Sequence, residues 1–218
     1  SVLSAIHNLT TMLFGIFISA FFLGVSTKKR QVFSLGIFSL FSGMLYLTGL
    51  FLVGPDLAER LYPLLVHLPL VLFLFFYYRF SLVSSCTAVT SAYLCCQLSN
   101  WAGLFALNLS GSLVAYYIVR ILVTVTVFIL LYRYVCRTTR MIFDKETREL
   151  CIIGFLPFIY YIFDYASTKF SSLLYSGNKA VVEFMGFAFC IAYLVFLLVY
   201  FREYEKKQEI RQYSDRME

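Results

Sequence analysis

Seven stretches of about 20 residues in this chain carry almost no charge, and they constrain the fold more than any motif does. A helix needs about 20 apolar residues to cross a hydrocarbon core of about 30 Å. The stretches run over residues 3–25, 32–53, 61–78, 82–107, 113–131, 150–166 and 180–200. Within them the apolar runs are continuous, as from Leu70 to Phe76. Alternating apolar and polar positions, which a membrane β-barrel requires, do not occur there. The expected fold is therefore all-α: a polytopic membrane bundle of about seven transmembrane helices. Its least secure junction is the short turn Arg79-Phe80-Ser81.

Composition excludes the alternatives. Of the 218 residues, 61% are hydrophobic and 14% charged, against about 45–50% and about 25% in soluble domains. Folding cannot wet such a surface, so a soluble globular enzyme, a disordered protein and a disulfide-stapled secreted domain are all excluded. The net charge of +6 is no nucleic-acid signal, because no soluble domain exists to carry a basic face. It encodes topology. With the N-terminus outside, fourteen of the eighteen Lys and Arg residues fall in inside segments, and only Arg60, Lys169 and Lys179 fall outside. Basic residues collect in cytoplasmic loops, so the expected orientation is N-out, C-in. The first stretch lacks the basic leader of a signal peptide and is followed by Lys28-Lys29-Arg30. It reads as a span, with the chain as a piece of something longer.

Few residues carry chemistry. The six cysteines have no metal-ligand spacing supported by histidines, and only His7 and His67 exist. Small buried hydrophobes describe these cysteines better than nucleophiles or ligands do, so neither a catalytic nor a metal site is expected. No glycine-rich phosphate loop or paired-carboxylate site is present. His67 lies between Pro63 and Pro69, which bend the helix and free backbone carbonyls. It either satisfies such a carbonyl or serves as a pocket or pH-sensitive group. Arg120 lies within the fifth span, where a charge is costly and faces the bundle interior. Asp164 and Glu183 are its candidate anionic partners, and the readings are a structural ion pair, a snorkelling arginine, or a ligand-facing charge cluster open to the outside. Trp101, beside Asn100, either anchors at the interface or lines a pocket.

The C-terminal segment has no Gly or Pro after Gly186, so the last span can continue into the cytoplasm as one helix. Residues 1–200 then form the membrane domain and 201–218 the start of a signalling helix. Glu203 and Lys207 are spaced for an i, i+4 pair. Ile210, Tyr213 and Met217 follow the 3–4 spacing of a coiled-coil seam. A solvated helix and a dimerising helix both fit this pattern.

Three segments together resemble the membrane sensor region of bacterial GHKL-type histidine kinases, the group that includes the Agr and Com peptide-quorum receptors. They are Tyr-Ile-Val-Arg-Ile-Leu at 117–122, the linker at 145–150 with the aromatic run at 157–165, and Val182-Glu183-Phe184 leading to the segment at 200–206. The resemblance implies a multi-pass sensor in the bacterial plasma membrane. It would detect an extracellular signal, such as a peptide, through Arg120, Asp164, Glu183, Trp101 and Asn100. Tyr200, Glu203, Ile210, Tyr213 and Met217 would pass the signal on, within a homodimer, to a kinase core outside this sequence. ATP, magnesium and a response regulator belong to that core; this chain itself needs no cofactor. The alternative is a small seven-helix transporter, disfavoured by the missing internal repeat and unmatched Pro breaks. A G-protein-coupled receptor is less favoured still, because the last span lacks an Asn-Pro-x-x-Tyr pattern.

Overall fold

The computed structural model describes residues 2–143, 147–169 and 179–215. The described residues contain helices and turns and no strand. The elements are α1 (Val2–Phe22), α2 (Lys29–Val53), α3 (Pro55–Arg60), α4 (Leu68–Phe76), α5 (Leu82–Cys95), α6 (Gln97–Ser110), α7 (Leu113–Leu130), α8 (Cys136–Phe143), α9 (Thr147–Lys169) and α10 (Lys179–Asp215). Among the described residues, five segments are long and apolar enough to cross a membrane: Val2–Phe22, Lys29–Val53, Leu113–Val135, Glu149–Ser167 and Phe184–Ser214. A helix is the natural spanning element because it satisfies its own backbone polar groups where no water can.

The third and fourth stretches read from the sequence are helical but interrupted. Pro69 has no N–H to give the carbonyl four residues earlier. The chain responds with a wide π-turn over Pro63–His67, closed by the Leu68 N–H on the Pro63 carbonyl. The apolar helix Pro63–Phe76 is thereby shorter than a full crossing. In the fourth stretch Cys96 keeps a right-handed helical conformation, φ −63° and ψ −20°, so α5 runs into α6 through a kink. A second π-turn, Leu131–Val135, joins α7 to α8.

Turns end the helices where the sequence supplies them. Gly111 caps α6 at φ 65°, in the left-handed region that Gly enters without penalty. Ser112 then caps α7 by accepting the Ala115 N–H. With two residues between them, α6 and α7 form an antiparallel hairpin. Arg79, the residue of the doubtful junction, takes φ 61° in the turn before α5, and Ser81 caps α5 through the Ser84 N–H at 3.0 Å.

α1 and α5 form the middle of the bundle. α1 packs on α7, α5, α8 and α2, while α5 packs on α9, α1, α4 and α10, and α10 lies along α6. Ten of the fourteen α5 residues are buried, and most are Ser, Thr or Ala. Small residues let helices approach closely where lipid supplies no hydrophobic drive. A Cβ at Gly154 of α9 would strike Thr87 of α5. Hydroxyls add to this packing: Ser91 of α5 meets the Tyr193 hydroxyl of α10 at 2.9 Å. α10 continues past Tyr200 to Asp215 without a break.

Candidate functional site

A cavity of about 130 Å³ opens in the middle of the bundle, lined from α1, the π-turn, α4, α5, α6 and α7. Each polar group reaches it for a local reason. On α1, Thr11, Gly15 and Ser19 stand four residues apart and share one face. His7 is one turn earlier on the same stripe and is buried. The Ser19 hydroxyl turns back to the Gly15 carbonyl at 2.6 Å. The Thr11 hydroxyl and His7 Nδ1 are buried without a hydrogen-bond partner.

The π-turn directs His67 into a cluster of tyrosines. Its ring centroid lies 5.0 Å from Tyr62, 5.4 Å from Tyr161, 5.6 Å from Tyr93 and 6.3 Å from Tyr165, all edge-to-face. Such pairs match the negative face of one ring to the positive edge of another. Nδ1 of His67 and the Tyr161 hydroxyl share a hydrogen bond of 2.7 Å. His67 is thus a pocket residue held by a side chain across the bundle; that hydroxyl, rather than a freed carbonyl, is the partner of Nδ1.

Just after Cys96, Gln97 and Asn100 of α6 line the cavity. The Asn100 amide donates to Gln97 Oε1 at 3.0 Å, and its oxygen accepts from Nη2 of Arg120. Nη1 of Arg120 donates to the Tyr116 hydroxyl, and the guanidinium carbon lies 5.1 Å from that ring's centroid. A Cβ at Gly103 would collide with the Arg120 stem, so this glycine opens the path the arginine follows. Nε of Arg120 is buried and makes no hydrogen bond. Among the described residues, no carboxylate lines the cavity.

The expected partners of Arg120 are placed otherwise. Asp164 is buried on α9, where it accepts the Tyr93 hydroxyl from α5. Asp164 and Arg120 project from different helices onto different neighbours. Arg120 is therefore held by the neutral oxygens of Asn100 and Tyr116 in place of the expected ion pair with Asp164. The side chain of Glu183 lies outside the described residues. Asn100 joins Arg120 directly. Trp101, one residue on, turns to another face and stacks on Phe105 and Phe187, with centroids 5.6 and 5.1 Å away. It thereby ties α6 to α10.

Of the signalling residues, Tyr200 reaches Glu149 at the start of α9, with its hydroxyl donating over 3.3 Å. Glu203 pairs with Lys206 at 3.4 Å, one residue short of the expected Lys207. Ile210 and Tyr213 stand exposed on α10. Met217 lies outside the described residues. Among the cysteines, Cys95, Cys136 and Cys190 are buried, Cys86 and Cys96 half-buried, and Cys151 exposed. Burial pushes the Cys136 thiol, which lies beyond the α7 span, up to about 12, so it stays protonated and inert. The described residues contain no group of three His, Cys, Asp or Glu able to hold a metal.

Sequence reasoning missed the α1 stripe and the tyrosine cluster. The stripe was readable, since His7, Thr11, Gly15 and Ser19 repeat every four residues inside an apolar helix. The cluster was not, because its tyrosines come from three separate segments. Comparison with family models, with curated proteins and with solved structures finds no match.

Proposed function

We propose that this chain is the membrane sensing domain of a GHKL-type two-component sensor histidine kinase, seated N-out and C-in in a bacterial plasma membrane. Seven crossings result if the interrupted segments, Pro55–Phe76 and Leu82–Ser110, each cross once. The observation that carries the reading is α10. It is an unbroken helix of 37 residues, about 55 Å long at 1.5 Å per residue. A hydrocarbon core takes up about 30 Å of this, leaving several charged turns to project into the cytoplasm. A rigid rod that starts inside the bundle and ends in a charged, seam-bearing segment is a device for carrying motion out of a membrane.

The route from cavity to rod is short. Asn100 touches Arg120 at the cavity, and the adjacent Trp101 stacks on Phe187 of α10. Ser91 of α5 holds Tyr193 of α10. An extracellular ligand that changes the α5–α6 kink would therefore displace α10. Residues Tyr200, Glu203, Ile210, Tyr213 and Met217 would deliver that displacement, within a homodimer, to a kinase core using ATP and magnesium and serving a response regulator.

The test is phosphorylation of the full-length gene product in membranes, supplied with labelled ATP and magnesium. The reading expects label on a histidine downstream of Glu218. Absence of label, with substrate flux into vesicles instead, would overturn it in favour of a transporter, which the same interior cavity would also serve.

A further inference from the structure

The interior cavity holds an electrostatic imbalance. Among the described residues, Arg120 is the one cation that lines it and no carboxylate does. Asn100 and Tyr116 offer it dipoles, not charge. A buried cation is stable when paired and hydrogen-bonded. Three polar atoms on this side of the bundle stand buried without partners: Arg120 Nε, Thr11 Oγ1 and His7 Nδ1. Nη1 and Nη2 of Arg120 already serve Tyr116 and Asn100, which leaves Nε as the donor without an acceptor, and an anionic acceptor makes the stronger, charge-assisted bond there. Ile16, Val66, Leu70 and Val89 make an aliphatic part of the wall, the rings of Tyr62, His67 and Tyr93 continue it, and Ser19, Gln97 and Asn100 are its neutral polar members.

We infer that this cavity binds a carboxylate monoanion with an apolar body. The carboxylate accepts from the unpartnered Nε of Arg120 and from the Thr11 hydroxyl, and the apolar body lies against the aliphatic wall and the rings around His67. A single guanidinium neutralises one negative charge, so a phosphate dianion would leave a net charge in an apolar interior. The inference rests on the sensor reading only in naming the class of ligand for the same cavity; binding is measured without any kinase. The carboxylate can arrive from water or from the bilayer.

The full-length protein in nanodiscs, or this chain if it purifies folded, is heated with hexanoate added from solution, and separately with oleate built into the lipid. Hexanamide and oleamide serve as uncharged controls. At least one acid is expected to raise Tm by about 5 °C near saturation, with its amide inert. The arm that responds names the source. Arg120→Gln is expected to abolish the shift. Thr11→Val removes a hydroxyl with no native partner, so it keeps the fold and is expected to weaken binding at least fivefold even should Arg120→Gln fail to fold. No shift from either acid, equal shifts from acid and amide, or undiminished binding in Thr11→Val would overturn the proposal. Loss of acid binding alongside retained histidine phosphorylation removes the ligand assignment alone. Acid binding without phosphorylation removes the sensor reading alone.

Discussion

α5 and α7 invert the pattern expected of a soluble protein. α5 is short, rich in Ser, Thr and Ala, and buried over ten of its fourteen residues. α7 is longer and far more apolar, and Thr124 is its single fully buried residue. Leu113, Val114, Ile118, Leu122, Val125, Ile129 and Leu130 face outward. In water these roles would be exchanged. In lipid the hydrocarbon solvates apolar side chains as well as a protein core does, so burial selects for close packing and hydrogen bonding. α5, α6 and the helix after Pro63 fall short of a spanning helix in length, because the chain is interrupted at Cys96 and at the π-turn Pro63–His67.

The comparison can be broken by truncation on the two helices. Leu94 of α5 is fully buried, and Leu122 of α7 is 61% exposed. Leu94→Ala leaves a cavity inside the bundle and should cost about 3 kcal/mol. Leu122→Ala exchanges contacts with lipid and should stay within about 0.5 kcal/mol. Reversible unfolding in mixed micelles reads both. Equal effects would mean that the inside and outside of this bundle have been exchanged.

A smaller effect sharpens the same point. Removing the hydroxyl in Ser91→Ala leaves the Tyr193 hydroxyl without its partner. Interhelical hydrogen bonds in membranes average about 0.6 kcal/mol, so this variant and Tyr193→Phe should each lose about that much, and the double variant little more. Full additivity in this double-mutant cycle would mean that the two hydroxyls do not interact.

The difference between α5 and α7 also marks what the sequence discloses. Apolar length gave most of the spans, and Pro63 and Pro69 announced the bend that becomes the π-turn. The depth of Arg120 announced that it faces the interior. Its partners were not readable, because a buried cation calls for any oxygen-bearing neighbour and helix register decides which one arrives. Asp164 sits on a helix whose close neighbour is α5, so Tyr93 takes it. Asn100 reaches Arg120 because α6 and α7 are joined by two residues and lie side by side. The break between α5 and α6 at Cys96 had no Pro or Gly to announce it.

The central claim is that α10 carries motion from the cavity to a kinase core as a rigid rod. Inserting one, two, three, four or seven alanines after Lys207 in the full-length protein tests it most directly. Each added residue rotates everything downstream by about 100°, and seven nearly restore the original facing. Autophosphorylation, measured with and without ligand, should follow that rotation, with the seven-residue variant close to wild type. Equal activity and equal ligand response in all five variants would contradict the rod and, with it, this account of signal transmission.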